Sequence, residues 1–140
     1  MAVPALDRFL QAQADVWPTA LAELKAGRKR SHWMWFVFPQ LAGLGSSPMA
    51  VHYAIGSIAE ARAYLADPVL GARLREGVAA MLAHRGQRAE AILGGTDALK
   101  FRSSLTLFAA AADDPAIFAE ALDTFYDGAR DERTLELLGR

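Results

Sequence analysis

Apolar residues recur along this chain at intervals of three and four, the spacing of one helix face. Leu6, Phe9, Leu10, Val16 and Trp17 open the pattern. Pro18 fits the first turn of a second helix, Thr19 to Ala26, with Leu21 and Leu24 inward and Gly27 as its stop. Ser47-Pro48 reads as a cap followed by a first-turn proline, opening a short helix through Tyr53 and Ile55. Ser57, with Glu60 one turn on, makes a capping box for Ile58 to Leu65. From Asp67-Pro68 a longer helix carries Leu70, Leu74, Val78, Met81 and Leu82 on one face and stops near Arg85-Gly86.

The second half repeats the scheme. A short helix, Gln87 to Leu93, ends at Gly94-Gly95, and Thr96 caps the next, Asp97 to about Ala111. Asp114-Pro115 opens a helix striped by Ile117, Phe118, Leu122, Phe125 and Tyr126; Asp131 caps a last one with Leu135 and Leu138. Trp33 to Val37 alone could form a strand. A strand without a partner is not stable, so the segment reads as a helical turn ended by Phe38-Pro39. The expected fold is all-α: a compact single-domain orthogonal bundle of about seven to eight short helices over residues 1–140.

Composition narrows the function classes. With 53% hydrophobic and 22% charged residues, the 140-residue chain can bury a core, which excludes intrinsic disorder. A formal net charge of −1 gives no overall field for nucleic acid or an anionic membrane, so a nucleic-acid partner is not favoured. The absence of cysteine removes disulfides, thiolate metal sites and a Cys nucleophile. Asp7, Arg8 and Asp15 interrupt the N-terminus, so no signal peptide is expected there. No run approaches the roughly 18 apolar residues of a membrane span. These features lead to the expectation of a cytoplasmic protein, and nothing calls for a cofactor or a membrane.

Two segments carry candidate chemistry. In the first, Arg28, Lys29 and Arg30 run into Ser31, His32, Trp33, Met34 and Trp35, followed by Phe-Val-Phe-Pro and Gln40. Cations attract phosphate or carboxylate, indole faces stack on bases or sugars, and a histidine titrating near pH 6.5 suits acid–base work. The competing reading makes Trp33, Trp35, Phe36 and Phe38 core and Arg28 to Arg30 the solvated end of a helix. The loop Gly43-Leu44-Gly45-Ser46-Ser47 follows; it fails as a dinucleotide fingerprint but offers donors at a helix start.

In the second segment, Asp97-Ala-Leu-Lys100-Phe-Arg102-Ser103-Ser104 sets a polar stripe beside the apolar face Phe101, Leu105 and Phe108. Asp97 lies one turn before Lys100 and can pair with it. A Ser–Lys nucleophile pair is one reading; a lysine whose stem packs while its amine meets water or Asp97 is the other. His52 and Tyr53 could face the same cavity as His32. Histidines at 32 and 52 without a carboxylate at ligand spacing make no metal site. His84, beside a helix end, reads as structural.

Three runs, GRKRSHWMWFVFPQLAGLGSS, YAIGSIAEARAYL and DALKFRSSLTLF, resemble the family known as domain of unknown function 1810, across about Asp7 to Leu138. Some members of that family carry the label calpastatin, which does not suit a hydrophobic globular chain. The resemblance implies a compact, mainly α-helical domain and brings no assigned reaction. Positions shared with its signature are Lys29, Ser31, His32, Trp33, Trp35, Gln40, Tyr53, Asp97, Lys100 and Ser104.

Two functions from different classes follow. The first is a small-molecule site for an anionic, nucleotide- or ADP-ribose-like ligand, extended in its enzymatic form to hydrolysis of N-glycosidase type. His32 and Lys100 would be its catalytic pair; Lys29, Ser31, Trp33, Trp35, Gln40, Tyr53, Asp97, Arg102, Ser103 and Ser104 would contact the ligand. The second is a non-catalytic module that engages a protein or single-stranded nucleic acid through Arg28 to Arg30 and exposed aromatics.

Overall fold

The computed structural model describes residues 6–140. These form ten α-helices: α1 Asp7–Ala14, α2 Trp17–Ala26, α3 Met34–Val37, α4 Pro48–His52, α5 Ile58–Ala66, α6 Leu70–Leu82, α7 Ala89–Leu93, α8 Gly95–Ala111, α9 Ala116–Tyr126 and α10 Glu132–Leu137. The fold is all-α. The count exceeds the seven to eight expected for the bundle; it includes α3, α4 and α7, single turns of four or five residues that fall where short helical pieces are read in the sequence.

Side-chain caps start the helices where the sequence places them. Ser47, Ser57 and Asp131 accept from the amides of Ala50, Glu60 and Thr134. Gly27 ends α2 in the left-handed region at φ 73°. Two starts differ from expectation. Asp67 instead closes α5 while its Oδ1 accepts from the amides of Val69 and Leu70, so α6 begins at Leu70. Thr96 does not cap α8: the φ of 90° at Gly94 starts the helix at Gly95, which puts Thr96 and Asp97 inside the first turn.

One apolar cluster unites the helices. The long helix α8 packs against α5, α7, α9 and α10, while α6 packs against α2, α3, α5 and α9. The predicted stripe of α6 is buried throughout, as are Phe101, Leu105 and Phe108 of α8. Ring pairs such as Phe38–Phe101, centroids 4.8 Å apart, lock α3's exit onto α8. Between α3 and α4 the chain passes through the glycine loop. It is tied by a single parallel bridge, Leu41 to Ile55, with Ile55 N–H donating to Gln40 O at 2.8 Å.

That loop needs its glycines. Gly43 has φ 101°, and a Cβ on Gly45 would lie 2.6 Å from Ala50 Cβ, so the loop can close onto α4 only without a side chain there. No helix among the described residues is long and apolar enough to cross a membrane.

Candidate functional site

The segment between α2 and α3 is tied at Lys29, whose backbone N–H donates to Ile92 O at 2.8 Å, and by one carboxylate. Glu23, in the last turns of α2, accepts at Oε1 from the backbone N–H of Arg30 at 2.8 Å and of Ser31 at 3.0 Å. Ser31 Oγ donates to Oε2 at 2.6 Å, and Trp33 Nε1 donates to Oε1 at 2.9 Å. Burial alone would push this carboxyl up. The hydrogen bonds from Ser31, Arg30 and Trp33 outweigh it and bring it down from 4.5 to about 2. Glu23 therefore stays ionised and anchors the chain just after its reversal at Gly27.

Anchored this way, Lys29 turns inward. Its side chain is only 8% exposed; its Nζ donates to Ser31 O at 2.6 Å, meets Asp97 Oδ2 at 2.8 Å and lies 5.0 Å from the Trp33 ring centre. The other oxygen of Asp97, Oδ1, faces Lys100 Nζ at 3.6 Å. Lys100 in turn sits over Trp35, 5.1 Å from its ring centre. Two ammoniums thus share one carboxylate, Lys29 at salt-bridge distance and Lys100 more loosely. Asp97 is also suitably placed in the first turn of α8, where a negative charge is favourable.

Lys100 lines a cleft of about 470 Å³ between the glycine loop and the first half of α8. Gln40, Ser46, Ser47, Thr96, Ser103 and Asp131 supply its polar wall, and Leu44, Ala50 and Leu99 its apolar one. Its volume falls in the range of small-molecule sites, roughly 300–1,000 Å³. Among the described residues no group of three or more His, Asp or Glu is placed to hold a metal ion.

Residues 4–138 match the family described as protein of unknown function (DUF1810). The chain belongs to this family. Its structure is similar to the crystal structure of the conserved hypothetical protein Rv1873 from Mycobacterium tuberculosis, at 51% identity and a TM-score of 0.94, covering 96% of each chain. No curated protein matches the chain. Family membership thus supports the helical fold and brings no ligand or reaction with it.

In this DUF1810 protein the expected site residues separate into three groups. Lys29, Ser31, Trp35, Asp97 and Lys100 come together around the shared carboxylate, and Gln40, Lys100 and Ser103 line the cleft. The expected stacking surface of Trp33 is not available: the side chain is wholly buried, in ring contact with Phe38, and its N–H is taken by Glu23. Trp35, half-buried, already carries the Lys100 ammonium on its ring. Ser104, 1% exposed, belongs to the core, since α8 is covered by neighbours on most sides.

The remaining three lie elsewhere. Tyr53 packs against Phe36 and Phe9, and His52 sits edge-on to it, exposed and away from the cleft lining. Arg102 points to the α9 side of α8; it lies near enough to Tyr126 to counter the rise that burial gives that phenol, and its Nε is buried without a partner. His32 is exposed and does not line the cleft. His84 is structural as expected: Nε2 lies 2.9 Å from Leu24 O and 3.0 Å from Lys25 O, over the last turn of α2.

Two contributors escape the sequence reading. Glu23 has no local partner to advertise it, although an acid one turn before a left-handed glycine is a usable signal, because the chain doubles back past it. Asp131 reads fully as a helix cap and gives no hint that it shares a cleft with Lys100.

Proposed function

We propose that the protein binds a small anionic molecule, with Lys100 as the charge that receives it and the cleft beside the Gly43–Gly45 loop as the site. The observation that carries this reading is the sharing of Asp97. Lys29 holds Oδ2 at 2.8 Å while Lys100 stands 3.6 Å from Oδ1, so the Lys100 ammonium is only loosely paired where it lines the cleft, whose one other charged lining residue among those described is Asp131. An ammonium partly shielded from water and only loosely paired gains when an anion replaces its solvent. Hydroxyls of Ser46, Ser47 and Thr96 and the Gln40 amide stand beside it to bond the rest of a ligand.

The phosphates and ribose hydroxyls of a nucleotide- or ADP-ribose-like compound suit such a wall; its base would find no open indole face. N-glycosidase chemistry with His32 as the acid–base group is not part of this proposal, because His32 stands outside the cleft lining.

The test is a thermal-shift screen of inorganic phosphate, sugar phosphates, nucleotides and ADP-ribose derivatives. A ligand at 100 times its Kd stabilises by about 2.7 kcal/mol, a shift of a few degrees for a domain of this size. The expected hits are anionic and vanish in Lys100→Ala; a screen in which no anion shifts the wild type overturns the proposal.

A second reading, a protein-interaction module, is favoured by exposed apolar side chains near the same loop. Leu99 is 65% exposed in the cleft wall, and Met49 and Val51 flank Ala50, itself part of the lining. That reading requires the anion screen to be flat and binding of a protein partner to be lost in Leu99→Asp.

A further inference from the structure

The cleft holds a second charge. Asp131 lines it together with Lys100, yet no ion pair joins the two. The acid is fixed by its own surroundings. Its backbone N–H donates to Thr106 Oγ1 at 2.9 Å, and its Oδ2 accepts from Thr134 N–H at 2.9 Å and Thr134 Oγ1 at 2.6 Å. An ionised carboxylate offers about four lone-pair positions on its two oxygens. Thr134 takes two of them on Oδ2, and Oδ1 receives no donor from the described residues.

Ser103 adds to this. Its hydroxyl donates to Leu99 O at 3.2 Å, so toward the cleft it offers only acceptor lone pairs. One wall therefore presents a donor cation, Lys100, and the neighbouring positions present acceptors, Asp131 and Ser103. A ligand that satisfies all three brings an anion for the first and hydrogen-bond donors for the others.

We infer that the ligand class is a sugar phosphate or a compound containing one, with the phosphate on Lys100 and a vicinal diol on Asp131. This rests on the anion-site reading above and adds Asp131 as the residue that selects hydroxylated anions over bare ones. A neutral diol suits an oxygen whose partner oxygen is already committed to a helix cap, because it asks for acceptors and no full counter-charge. Gln40, which both donates and accepts, can serve further hydroxyls.

Calorimetric titration of the full chain with ribose 5-phosphate and 2-deoxyribose 5-phosphate, at one ionic strength, tests it. The two carry the same phosphate, and only the first has adjacent hydroxyls at C2 and C3. The expected result is binding at least about tenfold tighter for ribose 5-phosphate, the worth of a hydrogen bond to a charged acceptor. Asp131→Asn keeps a good helix cap and is expected to bring the ratio of the two affinities close to one, a ratio in which any change in binding of the shared phosphate cancels. Equal affinity of the two sugars for the wild type overturns the inference and leaves the anion site standing, and this comparison needs no variant to fold. Tighter binding of phosphoethanolamine than of ribose 5-phosphate assigns Asp131 to an ammonium and also overturns it. If neither sugar phosphate nor inorganic phosphate binds, the anion site falls and this inference with it.

Discussion

Trp33 Nε1 donates to Glu23 Oε1 at 2.9 Å, and through that bond α2 determines which way the first indole of the aromatic run faces. The same carboxylate takes the amides of Arg30 and Ser31, so together with the Lys29 N–H bond to Ile92 O it fixes the turn that delivers Lys29 to Asp97. Replacing Glu23 by Ala leaves a buried indole N–H without a partner and frees the turn. The expected cost is about 2–4 kcal/mol, read as a lower urea midpoint.

Glu23 also sets an acid dependence. Its carboxyl is lowered from 4.5 to about 2 in the folded protein. A depressed carboxyl contributes stability that is fully present above the unfolded value and is lost as pH falls through the folded one. Stability should therefore decline between about pH 4.5 and pH 2. Glu23→Gln, uncharged at every pH, should show a shallower decline across that window in acid titrations followed by circular dichroism.

Asp97 and Lys100 should separate by stability. Lys29 is nearly buried, and removing its counter-charge with Asp97→Ala strands an ammonium inside; the expected loss is about 2–3 kcal/mol, scaled down from a fully buried pair because Asp97 keeps some solvent contact. Lys100→Ala removes only a partly exposed pair and should change stability by less than about 1 kcal/mol. Chemical denaturation of the two variants side by side checks the ordering.

Gly45→Ala tests whether the loop shapes the cleft. The added methyl would stand 2.6 Å from Ala50 Cβ, so loop and α4 must part. A cost of about 1–3 kcal/mol is expected, with weaker binding of whatever anion the wild type takes, measured by the same titration on both proteins.

Much of the helical scheme is legible from the sequence, because its signals are local. Ser47, Ser57 and Asp131 cap where they stand, and Leu70, Leu74, Val78, Met81 and Leu82 share a face by spacing alone. The site is legible only in part. Asp97 and Lys100 lie one helical turn apart, so their pairing can be read along the chain. The Lys29–Asp97 pair joins distant positions and depends on a reversal at Gly27 that periodicity cannot follow. Trp33 and Trp35 lie two apart at a single helical turn, too short for a period to assign inside and outside; Glu23 decides the first and Lys100 covers the second. The start of α8 shifted for a similar reason, since the backbone freedom of Gly94 outweighed the capping preference of Thr96.

The most direct measurement of the central claim is a two-dimensional amide NMR titration of the wild-type protein with ribose 5-phosphate. The account predicts saturable shifts concentrated at residues 43–47 and 95–103, with none in Lys100→Ala. Shifts absent from both segments, or unchanged in Lys100→Ala, would contradict it.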